Sequence, residues 1–344
     1  MLPSLFSMKK VHIVIHDLFL PELLAAYACA DLRVPALEKL LARGYSEPLG
    51  IDSLEAWLCG KFGVEGMAIA PLTLLADGVQ PGAAYWLRAD PVGISMQREQ
   101  TIMQSNISIN MEEATQLCAS LNAHFAADGL RFIAPHPQRW YLQLAQSPAM
   151  ETHALPHVAG AEMHAYLPFG DDALRWHSVL NEIQMLFYEH AVNQAREQRG
   201  EAAINGVWLW GGGKHQAELH KPYARVLGDS ELAMAFAQAA GLPVLSRIDP
   251  TPPSWADEQD DLLLVCERLR GAMQSADIGK WRKAVHLLEK NYAEILLDML
   301  ATGEVAQITL DVLSDNASRR FTVTRASLWK IWRKSKPLQY YALT

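Results

Sequence analysis

Much that would announce a function is missing from these 344 residues. Only four cysteines occur, Cys29, Cys59, Cys118 and Cys266, and no two stand at CxxC or metal-ligand spacing. That excludes a disulfide framework or a zinc ribbon and points to reduced thiols in a cytoplasmic protein. No run of five or six basic residues occurs and the net charge is -8, so a basic nucleic-acid face is not expected. Apolar runs fall short of the roughly 18 residues that cross a bilayer. The opening "MLPSLFSMKKVHIVIHD" carries its charges after its first apolar stretch, the wrong order for a signal peptide. No GxGxxG and no Gly-Lys-Ser/Thr ending is present, and no repeat or low-complexity segment stands out.

What is present is a globular composition, 50% hydrophobic and 20% charged. "KKVHIVIHD" (Lys9–Asp17) reads as a buried strand entering a loop. "VPALEKLLARG" (Val34–Gly44) reads as a helix, with proline early, leucines at helical spacing and a glycine stop. Helices are also expected over Asp52–Gly63, Met111–Gly129, Asp171–Gly200, Asp229–Gly241 and Ile278–Gly303. "AIAPLTLLADG" and Ala83–Met96 read as strands or short connectors, and "LRFIAP", "RWYLQLA", "INGVWLW", "LPVLSRID", "DLLLVCERL" and Glu304–Asp315 as strands. "PTPPSWADEQD" (Pro250–Asp260) reads as a surface loop. Strands alternating with helices imply an α/β fold with a mainly parallel sheet and helices on both faces. One domain over 1–344 is expected, with residues 83–170 a candidate inserted or cap subdomain.

Two stretches carry the functional question. "INGVWLWGGGKH" (Ile204–His215) offers glycines and a lysine as a phosphate cradle does, but no clear helix start follows. A strand with a glycine turn at its carboxyl end is the plainer reading. "WKIWRKSKP" (Trp329–Pro337) reads as an amphipathic helix with packed tryptophans and solvated lysines, a membrane-surface or partner-docking role being the alternative.

"HAVNQAREQRGEAAINGVWLWGGGK" (His190–Lys214) resembles the "HPVN..R...G..PAN" and "LWGxGK" elements of archaeal-type cofactor-independent phosphoglycerate mutases. "VPALEKLLARG", "DSLEAWLCGKFG", "YWLRADPV" and "HVAGAEMHAYLP" resemble further elements of that family, in the same order. The chain thus resembles the alkaline-phosphatase-like superfamily, and more closely the RpfE-type regulatory proteins of proteobacteria through "RADPV", "LNEIQM" and "WLWGGG".

The resemblance implies an alkaline-phosphatase-like core. It implies Ser53 as the position of the nucleophile, Asp17 as a metal ligand, and Arg88 and Lys214 as phosphate-neutralising groups, with Asn193, Arg196 and Asn205 framing the pocket. Such enzymes use two divalent cations to activate the nucleophile. Their late "APDEAGH" and "ADHSTP" elements are absent here: "CERLRGAMQSADIG" and "ITLDVLSDNASRRFTV" lack the histidines, and none follows His286. Asp52, Glu55, Asp311 and Asp315 form a fallback acidic group, with Asp311 the metal candidate, although helix capping and solvation explain them too. His153 and His157 share an i, i+4 spacing that the intervening Pro156 spoils as a metal pair. Ser53 reads as a helix-start residue, and Arg88 and Asp90 as a pair holding a turn.

The expectation is a non-catalytic, degenerate phosphoglycerate mutase-like protein that regulates or binds a small anion. No cofactor is expected. Its partner is a phosphorylated small molecule or a regulatory protein, not nucleic acid or membrane. The alternative is a metal-dependent phosphotransferase or phosphohydrolase using Mn, Mg or Zn at a rearranged site.

Overall fold

The computed structural model describes residues 9–51, 53–97, 100–105, 107–246, 261–314 and 318–341. The chain forms two compact units, one of residues 1–62 and 220–344, the other of 63–219. The inserted unit thus begins earlier and ends later than the 83–170 segment named from sequence.

The first unit starts with β1 (Lys9–His16), α1 (Glu22–Ala28), α2 (Pro35–Arg43), β2 (Tyr45–Pro48) and α3 (Leu54–Phe62). Pro35 occupies the first turn of α2, where its missing N–H costs nothing. β1 is β-branched and buried on both sides, as befits a central parallel strand.

The second unit holds α4 (Ile69–Ala76), β3 (Tyr85–Gln97), β4 (Gln100–Gln104), α5 (Met111–His124), β5 (Arg131–His136), β6 (Arg139–Leu144), α6 (Leu155–Val158), α7 (Ala173–Tyr188), α8 (Ala191–Gln198) and β7 (Gly206–Lys214). Its five strands run in the order β4-β3-β6-β5, with β7 beside β3, and every pairing is antiparallel. The expectation of a mainly parallel fold therefore fails here. Residues 69–76, read from sequence as strand or connector, are helical: a short run apolar all round has no period to separate the two. α5 and α7 cover one face of the sheet, burying Trp140, Trp176 and Phe187, while α4 packs on the other against Trp86 and Tyr141. The long helix expected over 171–200 breaks at His190, whose ring accepts the Val192 N–H and starts α8.

The chain returns to the first unit with β8 (Arg225–Gly228), α9 (Glu231–Ala239), β9 (Val244–Ser246), β10 (Leu262–Cys266), α10 (Arg268–Gln274), α11 (Ile278–Leu288), α12 (Glu294–Thr302), β11 (Val305–Leu313) and β12 (Arg319–Thr324). The seven strands are ordered β2-β12-β11-β1-β10-β8-β9. β11, β1, β10, β8 and β9 are parallel, and β12 and β2 add an antiparallel edge. Val11, Ile13 and Ile15 face a core closed by α1, α2 and α10 to α12. His12, Val14 and His16 point to the opposite side, where α3 and α9 meet through Phe62 and Phe236, 5.6 Å apart. Between α11 and α12 a π-helical turn, Glu289–Ala293, turns the Glu289 carboxylate inward, where it accepts the Ala36 and Leu37 N–H groups at 2.7 and 2.9 Å. An anion at that helix start satisfies orphan donors and the helix dipole together.

Residues 329–337 do not form the expected helix. A 3-10 turn (Arg325–Trp329) leads into hydrogen-bonded turns, and the indoles are exposed instead of packed. The proline-rich stretch 250–260 lies outside the described residues.

Candidate functional site

Open α/β sheets gather ligands outside the carboxyl ends of their parallel strands. Of the five parallel strands of the first unit, β1, β10 and β8 are followed by segments rich in charge. Asp17 follows β1 directly and adopts φ 58°, left-handed backbone that a non-glycine residue takes up at a cost of about 1 kcal/mol. It is held there by its N–H donating to Leu313 O at 2.9 Å and by Trp281 Nε1 donating to its carbonyl at 2.8 Å. His16, 4% exposed, has Nδ1 3.1 Å from an Asp17 carboxylate oxygen, but neither ring nitrogen finds a well-aligned hydrogen-bond partner.

Ser53 starts α3, and its hydroxyl accepts the Ala56 N–H at 3.2 Å, which is a helix-capping contact. Two residues on, Glu55 is fully buried, where the sequence suggested a solvated helical residue. Arg270 of α10 meets its carboxylate through Nη1 at 2.8 Å and Nη2 at 3.3 Å. Burial alone would depress the Arg270 guanidinium, but Glu55 outweighs it and holds the charge more firmly than usual. Glu267, 3.5 Å from Arg270, and Asp17 act on it in the same sense. At the end of β8, Asp229 Oδ1 accepts the Glu267 N–H at 2.6 Å and Oδ2 lies 3.0 Å from Arg268 Nε. Burial pushes the Asp229 carboxyl up, against the pull of that N–H and Arg268. The edge is therefore an alternating lattice of acids and arginines.

Asp311 lies elsewhere. It sits opposite Val14 within the sheet, 0% exposed, and its carboxylate accepts Trp57 Nε1, Arg320 Nε and Arg320 Nη2, each at 2.7 Å, with His12 Nε2 at 2.8 Å. Burial would raise its pKa, but the Arg320, His12 and Trp57 contacts win and hold it well below the usual carboxylate range. Burial, opposed by Asp311, lowers the His12 pKa. The neutral ring that results donates from Nε2, leaving Nδ1 to accept the Tyr223 hydroxyl at 2.7 Å. The carboxylate–imidazole–hydroxyl order is that of an activated nucleophile, but burial pushes the Tyr223 hydroxyl up, so the chain holds its proton.

The remaining candidates lie in the second unit. Arg88 is buried and grips Asp90 through Nε at 2.9 Å and Nη2 at 2.7 and 2.9 Å; Trp210 Nε1 donates to the same carboxylate. Asn193 donates to Phe187 O and Ile204 O and accepts the Ile204 N–H. Arg196 donates to Glu113 at 2.8 Å and Ala202 O at 2.7 Å, while Asn205 bonds the backbone of Ile94 in both senses. Each of these groups is spent on an internal tie. Lys214 is exposed at the end of β7.

The three glycines make no turn after a strand, as expected from sequence, but lie within β7. There Gly211, at φ 64°, sits in a bulge opposite Leu87. A Cβ on Gly213 would stand 2.2 Å from Ala68 Cβ, and one on Gly212 2.4 Å from the Tyr85 hydroxyl. The glycines thus let α4 and β3 approach the strand backbone.

A two-metal centre needs several free carboxylates and imidazoles in one place. Among the described residues no three His, Cys, Asp or Glu groups are disposed to hold a metal ion. Asp229 and Glu55 are ion-paired and Asp311 is caged, so the described donors do not fit such a centre. Asp52 and Asp315, of the fallback acidic group, lie outside the described residues. Sequence reasoning missed Arg270, Arg268, Asp229 and His16; their only signal was polarity directly after apolar strands.

No family model matches the chain. A probable 2,3-bisphosphoglycerate-independent phosphoglycerate mutase of Geobacter sulfurreducens is 24% identical over 185 residues, covering 51% of this chain and 46% of that protein. The match thus spans about half of that relative's length. The PH0037 protein from Pyrococcus horikoshii superimposes with a TM-score of 0.54 at 13% identity, over 93% of this chain and 88% of its own. The cofactor-independent phosphoglycerate mutase from Thermoplasma acidophilum gives 0.43 at 13%, over 92% and 90%. The chain shares its fold with the Pyrococcus protein, and over about half its length its sequence is similar to a probable 2,3-bisphosphoglycerate-independent phosphoglycerate mutase.

Proposed function

We propose that this chain is a phosphoglycerate mutase-like protein of the RpfE-type regulatory group, one that binds a small phosphorylated ligand in the cytoplasm and does not transfer its phosphoryl group. The buried Arg270–Glu55 pair carries the reading. It places a fixed guanidinium among the acids at the strand ends, so their charge is balanced within the chain. The four described thiols are free and buried, in keeping with a reducing compartment. Lys283 lines a groove between α10 and α11 beside Arg268, which meets Asp229, and Lys280, which meets Asp277. This is the seat we assign to the anion, with Lys283 as its principal cation. The test joins metal analysis of the purified protein to mutase and phosphatase assays with Mn²⁺, Mg²⁺ and Zn²⁺. Substoichiometric metal and no turnover are expected, together with thermal stabilisation by a phosphorylated metabolite that Lys283→Ala weakens. Two equivalents of metal with turnover abolished by Ser53→Ala would defeat the proposal.

A second reading, a phosphotransferase or phosphohydrolase with a rearranged metal site, draws on Asp17. Its left-handed backbone beside an unsatisfied imidazole is the kind of strain that collects at reactive centres.

A further inference from the structure

The segment 329–336 exposes what a globular chain ordinarily hides. Trp329, Ile331 and Trp332 are 78, 73 and 74% exposed, with Tyr340 close behind in sequence at 47%. This is no frayed end. Arg43 donates to Leu328 O and, at 3.2 Å, to Arg333 O, and Arg333 Nη1 donates to Gly44 O at 2.9 Å. Short turns close between residues 329 and 334, and Leu338 and Tyr341 are buried on the far side. The indoles are therefore presented by a braced loop.

Lys330, Arg333, Lys334 and Lys336 stand among these side chains, and residues 326–344 contain no acid, although the whole chain is at -8. A second copy would bring like charges together on a shared patch. The two indoles and the isoleucine offer roughly 450 Å² of apolar surface, taking about 200–250 Å² for each whole indole. A stable protein partner needs about 800 Å² a side with matched shape. A bilayer surface needs neither: indoles settle at the headgroup level, and cations are drawn to anionic lipids.

We infer that this loop docks the protein on anionic phospholipid membranes, with Trp329, Ile331 and Trp332 entering the interface and the lysines held at the headgroups. No helix among the described residues is long and apolar enough to cross a membrane, so the attachment is peripheral. It holds whether or not the groove between α10 and α11 binds a phosphorylated ligand.

The test is sedimentation of the full chain with vesicles of phosphatidylcholine containing 30% phosphatidylglycerol. Binding is expected to fall at least tenfold on pure phosphatidylcholine vesicles and in 0.5 M salt, with a blue shift of tryptophan emission on the anionic vesicles. The double variant Trp329→Ser/Trp332→Ser and the charge reversal Lys334→Glu/Lys336→Glu should each weaken binding at least tenfold while circular dichroism and melting temperature stay unchanged. Absence of binding to anionic vesicles by the wild type overturns the inference. So does equal binding to neutral vesicles, or a self-association in sedimentation velocity that the tryptophan variant abolishes.

Discussion

Both units bury an arginine against a carboxylate, but they do so by opposite routes. In the second unit Arg88 and Asp90 are two residues apart on one strand, and the pair is wrapped by Tyr141 and Trp210, whose rings lie 5.4 and 5.2 Å from the guanidinium carbon. In the first unit Glu55 and Arg270 are 215 residues apart, and His12 and Asp311 are 299 apart. The local pair is made by one strand and needs only the sheet to hide it. The distant pairs exist only when the two halves flanking the insertion have closed into one sheet. The Glu55–Arg270 and His12–Asp311 contacts therefore report on assembly of the whole first unit, and the Arg88–Asp90 pair on local packing.

The sharpest way to break that contrast is Glu55→Ala. It strands a buried guanidinium, and chemical denaturation should show the first unit destabilised by about 3–5 kcal/mol. Replacing both partners, as Glu55→Leu/Arg270→Met, removes the stranded charge and should restore most of the loss. If the double variant is as unstable as the single one, the pair matters for packing and not for charge.

The same contrast governs what could be read from sequence. The Arg88–Asp90 pairing is legible because the partners are two residues apart, but it sits inside a strand and does not hold the turn expected of it. The starts of α2 and α5 are legible within a residue or so, the first marked by its early proline; the Asn110–Glu113 capping box that opens α5 is seen in the structure. The burial of Glu55 is illegible in the sequence because its partner, Arg270, lies beyond the whole insertion. Strand direction in the second unit was illegible for a related reason: alternation sets which face a residue takes, not which strand it joins. The loop at 329–336 has an amphipathic composition without the helical fold that composition suggested.

Asp311 offers a second test, smaller in effect. Its folded-state pKa is depressed, so its contribution is complete above the unfolded value near 4 and fades as pH falls through the lower folded value. Asp311→Asn should cost about 2–4 kcal/mol at pH 7. The difference from wild type should shrink below about pH 4, where the unfolded chain takes up the proton that folded Asp311 still excludes. Denaturation midpoints from pH 7 down to pH 2.5 check this; a constant difference across that range would refute the caged-anion account.

The smallest effect concerns packing alone, and it should fall on the second unit. Gly213→Ala adds one methyl to a strand whose backbone lies against α4, with Ala68 Cβ 2.2 Å and Ala68 Cα 2.7 Å from the new atom. Neither contact is the end of a flexible side chain, so the helix start or the strand must shift. Overpacking of this kind costs about 1–3 kcal/mol. Hydrogen exchange should register the loss in β7, β3 and α4 and leave β1, β10 and β11 protected. If the glycines instead served to cradle an anion, the same substitution would leave stability near wild type and abolish stabilisation by phosphorylated metabolites. The two outcomes fall on different measurements, so one variant decides what the "WLWGGGK" stretch is for.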